Sequence, residues 1–321
     1  MSSYIVIKKD ETSASYISIC SDGIIRVLFK RNKEIDPKAL KELFEKFNKI
    51  VDGLKYPFIY LLHNPDKYVP FALNLAIKAS KGDPIIRLDA HTVYADDYFL
   101  KVLETFNKSK ADIVGGPMRA TGEADFQKAV AIATSTPFGV GDSAFHDETH
   151  EGFVDSVYLG AWKRHVFERS GYFDVDMLRN QDDEFHYRAK ANHLTIYLNP
   201  EIKSYYSPRA DIRSLYRQYY QYGLFKPLVL SKVKSGIRMR HLVPAGFACY
   251  LCLLPLALFS SFILIPGILY LLLAMLFALK AKTSLAVKLN MLLVYPVLHI
   301  AYGMGFIKGL LLSLTGNKPT L

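Results

Sequence analysis

Pro84-Ile85-Ile86-Arg87-Leu88-Asp89-Ala90-His91 is a short apolar run that gives way to charged and polar residues. A run of this length, with Gly82-Asp83 ahead of it, reads as a buried strand ending at a polar loop. Similar runs occur at Phe58–Leu62, Asp112–Val114 and Thr195–Leu198, each bounded by Gly, Pro, Asn or Asp. Between them lie Pro37–Val51, Val69–Ser80, Asp97–Lys108 and Asp182–Ala191, with apolar residues three and four apart, as on one face of a helix. This alternation predicts an α/β fold with a mostly parallel sheet flanked by helices. Ligands in such folds collect at the carboxyl ends of the strands, where Asp89 and His91 fall. No internal repeat or low-complexity tract interrupts the pattern.

The chain has 321 residues, half of them hydrophobic, yet carries a net charge of +10. The two properties are segregated. The acidic residues lie before residue 212, and Leu242–Leu279 contains no Asp, Glu, Lys or Arg. At ~20 residues per crossing, that segment can span a bilayer twice, with a turn near Ser260-Ser261 and Pro266-Gly267 early in the second helix. A third apolar stretch, Leu289–Leu314, spans or re-enters. Basic residues gather at Arg209, Arg213, Arg217, Lys226, Lys232, Lys234, Arg238 and Arg240, just ahead of the apolar region. That placement points to a lipid surface rather than nucleic acid. Lys280, Lys282 and Lys288 form a short basic loop, which the positive-inside tendency puts in the cytoplasm. The N-terminus lacks a signal-peptide core, so the first domain is expected on the same side. The organisation expected is a domain over 1–210, a basic amphipathic interface over 211–241, two to three membrane helices over 242–314 and a tail. Cys249 and Cys252 sit within an apolar run with no second ligand pair, so they read as inert thiols rather than a metal site.

Three clusters could carry chemistry. Asp89 and His91, two apart on a strand, face the same way, and a carboxylate with an imidazole suits a divalent ion beside a diphosphate; a strand ending in turn-forming residues gives the same pattern. Asn180-Gln181-Asp182-Asp183-Glu184 reads either as a helix N-terminus, with Asn180 as cap and acids favoured by the dipole, or as the seat of a general base. Arg213 and Arg217 share a helix face and could neutralise a diphosphate or bind headgroups. Gly115-Gly116-Pro117-Met118-Arg119 and Pro137-Phe138-Gly139-Val140-Gly141 read as loops. Phosphate-loop, dinucleotide and serine-hydrolase signatures are absent.

In order, Asn64–Asn74, Ile86–His91, Gly115–Arg119, Ser135–Gly141, Tyr158–Trp162, Asn180–Glu184 and Arg217–Gly223 resemble family 2 glycosyltransferases of the GT-A fold. The similarity is strongest to membrane-bound exopolysaccharide transferases of the succinoglycan type. The resemblance implies that Asp89-Ala-His91 stands at the metal-binding Asp-x-Asp motif, with Mn²⁺ or Mg²⁺ as cofactor and His91 in place of the second Asp. It makes Asp182 the catalytic base, with Asp183 and Glu184 supporting. Asp89, Arg217 and Gln218 would face the donor diphosphate, and Gly160, Ala161 and Trp162 would line the acceptor side. The front of the chain departs from the pattern: Tyr4–Ile7 and Tyr16–Cys20 stand for its strands, and Ser21-Asp22-Gly23 for its Asp-Gly-Ser motif.

The resulting expectation is an inverting, multi-pass inner-membrane transferase. It would move a sugar from a nucleotide-diphosphate sugar to a polyprenyl-diphosphate-linked saccharide, with its catalytic domain cytoplasmic. The rivals are transfer to polyprenyl phosphate itself, which needs no general base, and a non-catalytic subunit of a polysaccharide-assembly complex.

Overall fold

The computed structural model describes residues 14–19, 25–30, 62, 64–66, 68–89, 92–233 and 238–321. Tyr4–Ile7, Ser21-Asp22-Gly23, Pro37–Val51, residues 58–61, His91 and Lys234 lie outside them. Two early strands, β1 (Ala14–Ile19) and β2 (Ile25–Lys30), pair antiparallel.

Among the described residues the main sheet has five strands: β3 (Ile85–Ile86), β5 (Ile113–Gly116), β7 (Gly152–Phe153), β8 (Tyr158–Trp162) and β9 (Ile196–Leu198), in the order β3-β8-β5-β9-β7. A second sheet joins β4 (Thr92–Tyr94), β10 (Ser204–Tyr206) and β6 (Arg119–Ala120). The expectation of a mostly parallel main sheet needs correcting. Among its described strands β3, β5 and β9 share one direction, but β8 inserts antiparallel between β3 and β5 and β7 pairs antiparallel with β9. The sheet is therefore mixed, and β5–β9 is the one directly paired parallel neighbour among these strands. β8 contains Gly160, Ala161 and Trp162. Gly115 and Gly116, expected in a loop, belong to β5. A Cβ on Gly116 would stand 1.9 Å from the Ile202 carbonyl oxygen, so glycine lets the chain segments touch there.

Helices cover both faces of the sheet. On one, α1 (Val69–Ala79), α5 (His165–Ser170) and α6 (Gln181–Ala191) bury Leu73, Ile77, Val166, Phe167, Phe185 and Ala189 around Trp162. On the other, α2 (Tyr98–Ser109) buries Tyr98, Val102 and Phe106 at helical spacing against Ile86, Val114 and Ala161. Each fully buried large apolar side chain contributes about 1.5–3 kcal/mol, so this three-layer core rigidly holds the β3 strand end opposite the first turn of α6. α3 (Asp125–Thr134) follows β6. Pro137–Val140, expected as loop, forms a short helix, α4, because Thr136 Oγ1 accepts from the Gly139 amide at 3.1 Å.

Beyond α7 (Ile212–Val233), three helical segments among the described residues are long and apolar enough to cross a membrane: Met239–Leu258, Ser261–Lys280 and Leu285–Leu314. The first comprises α8 (Met239–Leu253) and a 3₁₀ turn; the second carries α9 (Leu264–Lys280); the third is α10. Cys249 and Cys252 are free thiols on the exposed surface of α8. The third apolar stretch is a continuous helix built into the molecule. Val287, Met291, Val294 and Leu298 of α10 pack with Ala129, Val130 and Ala133 of α3, and Gly305 lets the α10 backbone approach α7 at Tyr220.

Candidate active site

Past β3 the chain carries Arg87 and Asp89, each 7% exposed. Being two residues apart they point the same way. The Arg87 guanidinium forks onto Asp89, Nε to Oδ1 at 2.8 Å and Nη2 to Oδ2 at 3.0 Å. Its third nitrogen, Nη1, crosses to α6 and donates to Asp182 Oδ1 and Oδ2 at 2.9 and 3.1 Å. A planar, permanently charged fork can hold two carboxylates in fixed directions in a way an ammonium cannot. Burial alone would push the Arg87 pKa down, but Asp182 and Asp89 outweigh it and raise it well above its ordinary value.

Asp182 stands in the first turn of α6, where the helix dipole favours a carboxylate. Its side chain is 36% exposed, and Nη1 engages one side of it, leaving outward lone pairs for a ligand. The two acids that follow turn away by about 100° each, the helical step. Asp183 meets Lys226 Nζ of α7 at 2.8 Å. Burial would raise the Asp183 pKa, but Lys226 prevails and holds it below the ordinary value. Glu184 is 2% exposed and binds Arg188 Nε and Nη2 at 2.7 and 2.9 Å. Arg188 also donates to the Ser170 and Tyr172 carbonyls, so Glu184 braces the fold, away from the cleft. Asn180 does not cap the helix with its side chain. Its backbone takes φ 57°, in the left-handed region that Asn tolerates better than most residues, and Nδ2 donates to the Tyr222 carbonyl at 2.8 Å.

Tyrosines surround the strand end. The Asp89 amide donates to Tyr94 Oη at 2.6 Å, and Tyr158 Oη lies 3.3 Å from Thr92 Oγ1. Burial, with Asp89 adding, raises both phenols, so both stay neutral at working pH. One turn along α6 from Asp182, His186 is 1% exposed, with Nδ1 at 2.8 Å from Ser156 Oγ. Its Nε2 has no hydrogen-bond partner among the described residues. Burial lowers its pKa against the opposing pull of Asp182 and Asp183.

The other residues expected at the site fall in different surroundings. Arg217 lies on the exposed side of α7. Gln218, one step round the helix, points inward, donating to Tyr222 and Tyr206 Oη at 2.8 and 3.3 Å and accepting from Arg209 Nε at 3.2 Å. Arg209 is therefore the cation beside Gln218. Ala161 and Trp162 are each 1% exposed; Trp162 packs edge-on against Phe167, Phe173 and Phe185. Gly160 is buried beneath the same ring, where a Cβ would meet Trp162 at 3.0 Å. In this structure the three residues are buried in the core. Lys226, read as an interfacial cation, is 5% exposed and paired with Asp183. Arg87 and Lys226 are the groups whose site roles sequence reasoning missed. A basic residue two before the strand-end acid was the visible signal for Arg87; Lys226 carried none beyond its charge in an otherwise apolar helical turn.

Asp89 accepts from Arg87 on both oxygens, but each keeps a second lone pair. Among the described residues no three His, Cys, Asp or Glu side chains gather. A cation at Asp89 thus has one described protein ligand and fits if a ligand's diphosphate oxygens and water complete its shell.

Residues 35–171 match the family model "Glycosyl transferase family 2". The chain is 28% identical over 194 residues to "Succinoglycan biosynthesis protein ExoA" of Rhizobium meliloti (strain 1021), covering 60% of this chain and 59% of that relative. It is 27% identical over 307 residues, 92% of this chain and 93% of the relative, to a dolichyl N-acetyl-alpha-D-glucosaminyl phosphate 3-beta-D-2,3-diacetamido-2,3-dideoxy-beta-D-glucuronosyltransferase of Methanococcus voltae. Among solved structures, the mannosyltransferase PcManGT from Pyrobaculum calidifontis in complex with GDP-Man and Mn²⁺ aligns at TM-score 0.47 and 16% identity, over 87% of this chain and 75% of that one. With a mixed sheet, layered helices and apolar C-terminal helices, the chain has an α/β fold, carries the glycosyl transferase family 2 pattern over residues 35–171 and is similar to the succinoglycan biosynthesis protein.

Proposed function

We propose that the chain is an inverting glycosyltransferase that moves a sugar from a nucleotide-diphosphate sugar to a polyprenyl-linked saccharide at the membrane surface. The observation that carries this reading is the Arg87 bridge, which fixes a half-exposed Asp182 opposite Asp89 at the strand end. Asp182 takes the proton of an acceptor hydroxyl. That oxygen bonds to the anomeric carbon as the bond from carbon to diphosphate oxygen breaks, and the nucleoside diphosphate leaves. Arg87, between the two carboxylates, keeps the base directed at the acceptor hydroxyl, and Arg209 with Gln218 supplies positive potential at the α7 side of the cleft. A divalent cation, Mn²⁺ or Mg²⁺, would sit at Asp89, with His91 as the second ligand proposed from sequence, and would stabilise charge on the leaving diphosphate.

A lipid-linked acceptor is supported by the three apolar helices and by the Methanococcus voltae relative, whose name describes transfer to a dolichyl-phosphate-linked sugar. On either side of the basic loop, Ala274, Ala278, Val287 and Met291 join one apolar cluster with Ala129, Val130 and Ala133 of α3 in the α/β domain. This contact supports placing loop and domain together on the cytoplasmic face of the inner membrane.

The test is calorimetric titration of the detergent-solubilised protein with UDP, GDP and dTDP, with and without Mn²⁺. Asp89→Ala is run beside the unmodified chain, and Asp182→Asn is assayed for transfer from the sugar of the nucleotide that binds. Metal-dependent binding weakened by Asp89→Ala, with Asp182→Asn turnover down ~100–10,000-fold and binding retained, is expected. Turnover that survives Asp182→Asn points to polyprenyl phosphate as acceptor. No nucleotide binding by folded protein points to a non-catalytic subunit.

A further inference from the structure

Lys226 is a buried ammonium in the middle of α7, and its one ion-pair partner among the described residues is Asp183, the neighbour of Asp182. Among the described residues the bond is one of three side-chain hydrogen bonds that tie α7 to the segment bearing Asp182. Arg179 Nε donates to Gln221 Oε1 at 2.9 Å, Asn180 Nδ2 donates to the Tyr222 carbonyl at 2.8 Å, and Lys226 Nζ donates to Asp183 Oδ2 at 2.8 Å. Residues 221, 222 and 226 lie within about a turn and a half of one helix.

The opposite side of α7 is fixed as closely. A Cβ on Gly223 would stand 2.0 Å from the Tyr302 carbonyl oxygen, one on Gly305 2.1 Å from that of Tyr220, and one on Gly309 2.2 Å from that of Leu224. Backbone rests on backbone along this seam. Close-packed helices cannot slide without losing such contacts, so α7 holds the first turn of α6 in register with the third apolar helix.

We infer that Lys226 is a positioning residue: by gripping Asp183 it sets where the neighbouring Asp182 stands relative to the membrane helices, and hence to a lipid-anchored acceptor. This rests on Asp182 being the base. Burying a cation against a single carboxylate is a poor stabiliser, because desolvation offsets most of the attraction. Its consequence here is direction. Displacing a reacting group by about 1 Å costs on the order of 100-fold in rate, which is the size of effect Lys226 would protect.

The experiment compares Lys226→Met with Asp182→Asn in the full chain, in detergent. Transfer is measured from the nucleotide sugar that binds to a polyprenyl-linked lipid extract, beside nucleotide affinity and melting temperature. The expected result is a kcat per folded molecule about 10- to 100-fold lower in Lys226→Met, with nucleotide affinity unchanged, and an inactive Asp182→Asn. A merely structural lysine would lower the melting temperature and leave kcat per folded molecule intact; that outcome, beside an inactive Asp182→Asn, overturns the inference and spares the base. Turnover retained by Asp182→Asn overturns both. Should Lys226→Met fail to fold, Lys226→Met/Asp183→Asn removes both charges together. A kcat still depressed tenfold or more there supports positioning, and recovery to the unmodified rate overturns it.

Discussion

Arg87 Nη1 reaches both carboxylate oxygens of Asp182, at 2.9 and 3.1 Å, across the gap between a strand end and a helix start. The same guanidinium holds Asp89 through its other two nitrogens. One side chain therefore spaces the two acids on which the proposed chemistry depends.

Arg87→Lys should separate geometry from charge. Lysine keeps the cation but cannot bind Asp89 in a fork while reaching Asp182. Turnover is expected to fall about 100-fold through misplacement of Asp182. Arg87→Met should also destabilise, by about 3–5 kcal/mol, because it leaves buried Asp89 unpaired. Transfer assays and thermal melts on the two variants check this.

Glu184→Gln should affect stability alone. The change loses the buried ion pair to Arg188 while leaving Asp182 and Asp183 in place. A loss of about 1–3 kcal/mol is expected, seen as a lower melting temperature. The kcat per folded molecule should match the unmodified protein; a drop beyond about tenfold, the low end of what misplacing the base costs, would return Glu184 to the catalytic group.

Gly305→Ala tests the seam between α7 and α10. Its methyl would sit 2.1 Å from the Tyr220 carbonyl oxygen, so backbone must move. Overpacking of this kind costs about 1–3 kcal/mol. A lower melting temperature and a broadened elution peak in detergent are expected. Gly246→Ala, with nothing within 4 Å of the added methyl, serves as the control that should leave both unchanged.

Stability should fall with acid before the carboxylates titrate. Burial pushes His146 down to about 4, with Arg240 adding and Asp183 opposing, and burial lowers His186 as well. Below the ordinary histidine value of 6.5 the unfolded chain binds protons that the folded imidazoles refuse. Their contribution is thus complete above about pH 6.5 and, for His146, lost progressively toward pH 4. Asp183, held below its ordinary 3.8 by Lys226, adds stability present above about pH 4 and lost only in stronger acid. Melting temperature measured from pH 7.5 to 4.5 should decline, and His146→Gln should flatten the curve.

The sequence by itself determined the α/β alternation, the family resemblance and the apolar C-terminal third. Each depends on residue type at a local period: short apolar runs, three-four spacing, or long charge-free stretches. It also located Asp89 and the Asn180–Glu184 cluster, because strand ends and helix starts leave local signals. Only the tertiary structure decided which way each of those acids faces. Asp182, Asp183 and Glu184 are consecutive, yet the helical step sends them to Arg87, Lys226 and Arg188. Trp162 illustrates the same limit: in sequence it ends a short motif just before Lys163, and in the fold the insertion of β8 between β3 and β5 carries it into the core. Partners 43 residues apart, as in the Asp183–Lys226 pair, or 95 apart, as in the Arg87–Asp182 pair, are chosen by how the layers pack. That packing depends on the shape of the whole buried surface, which no local pattern encodes.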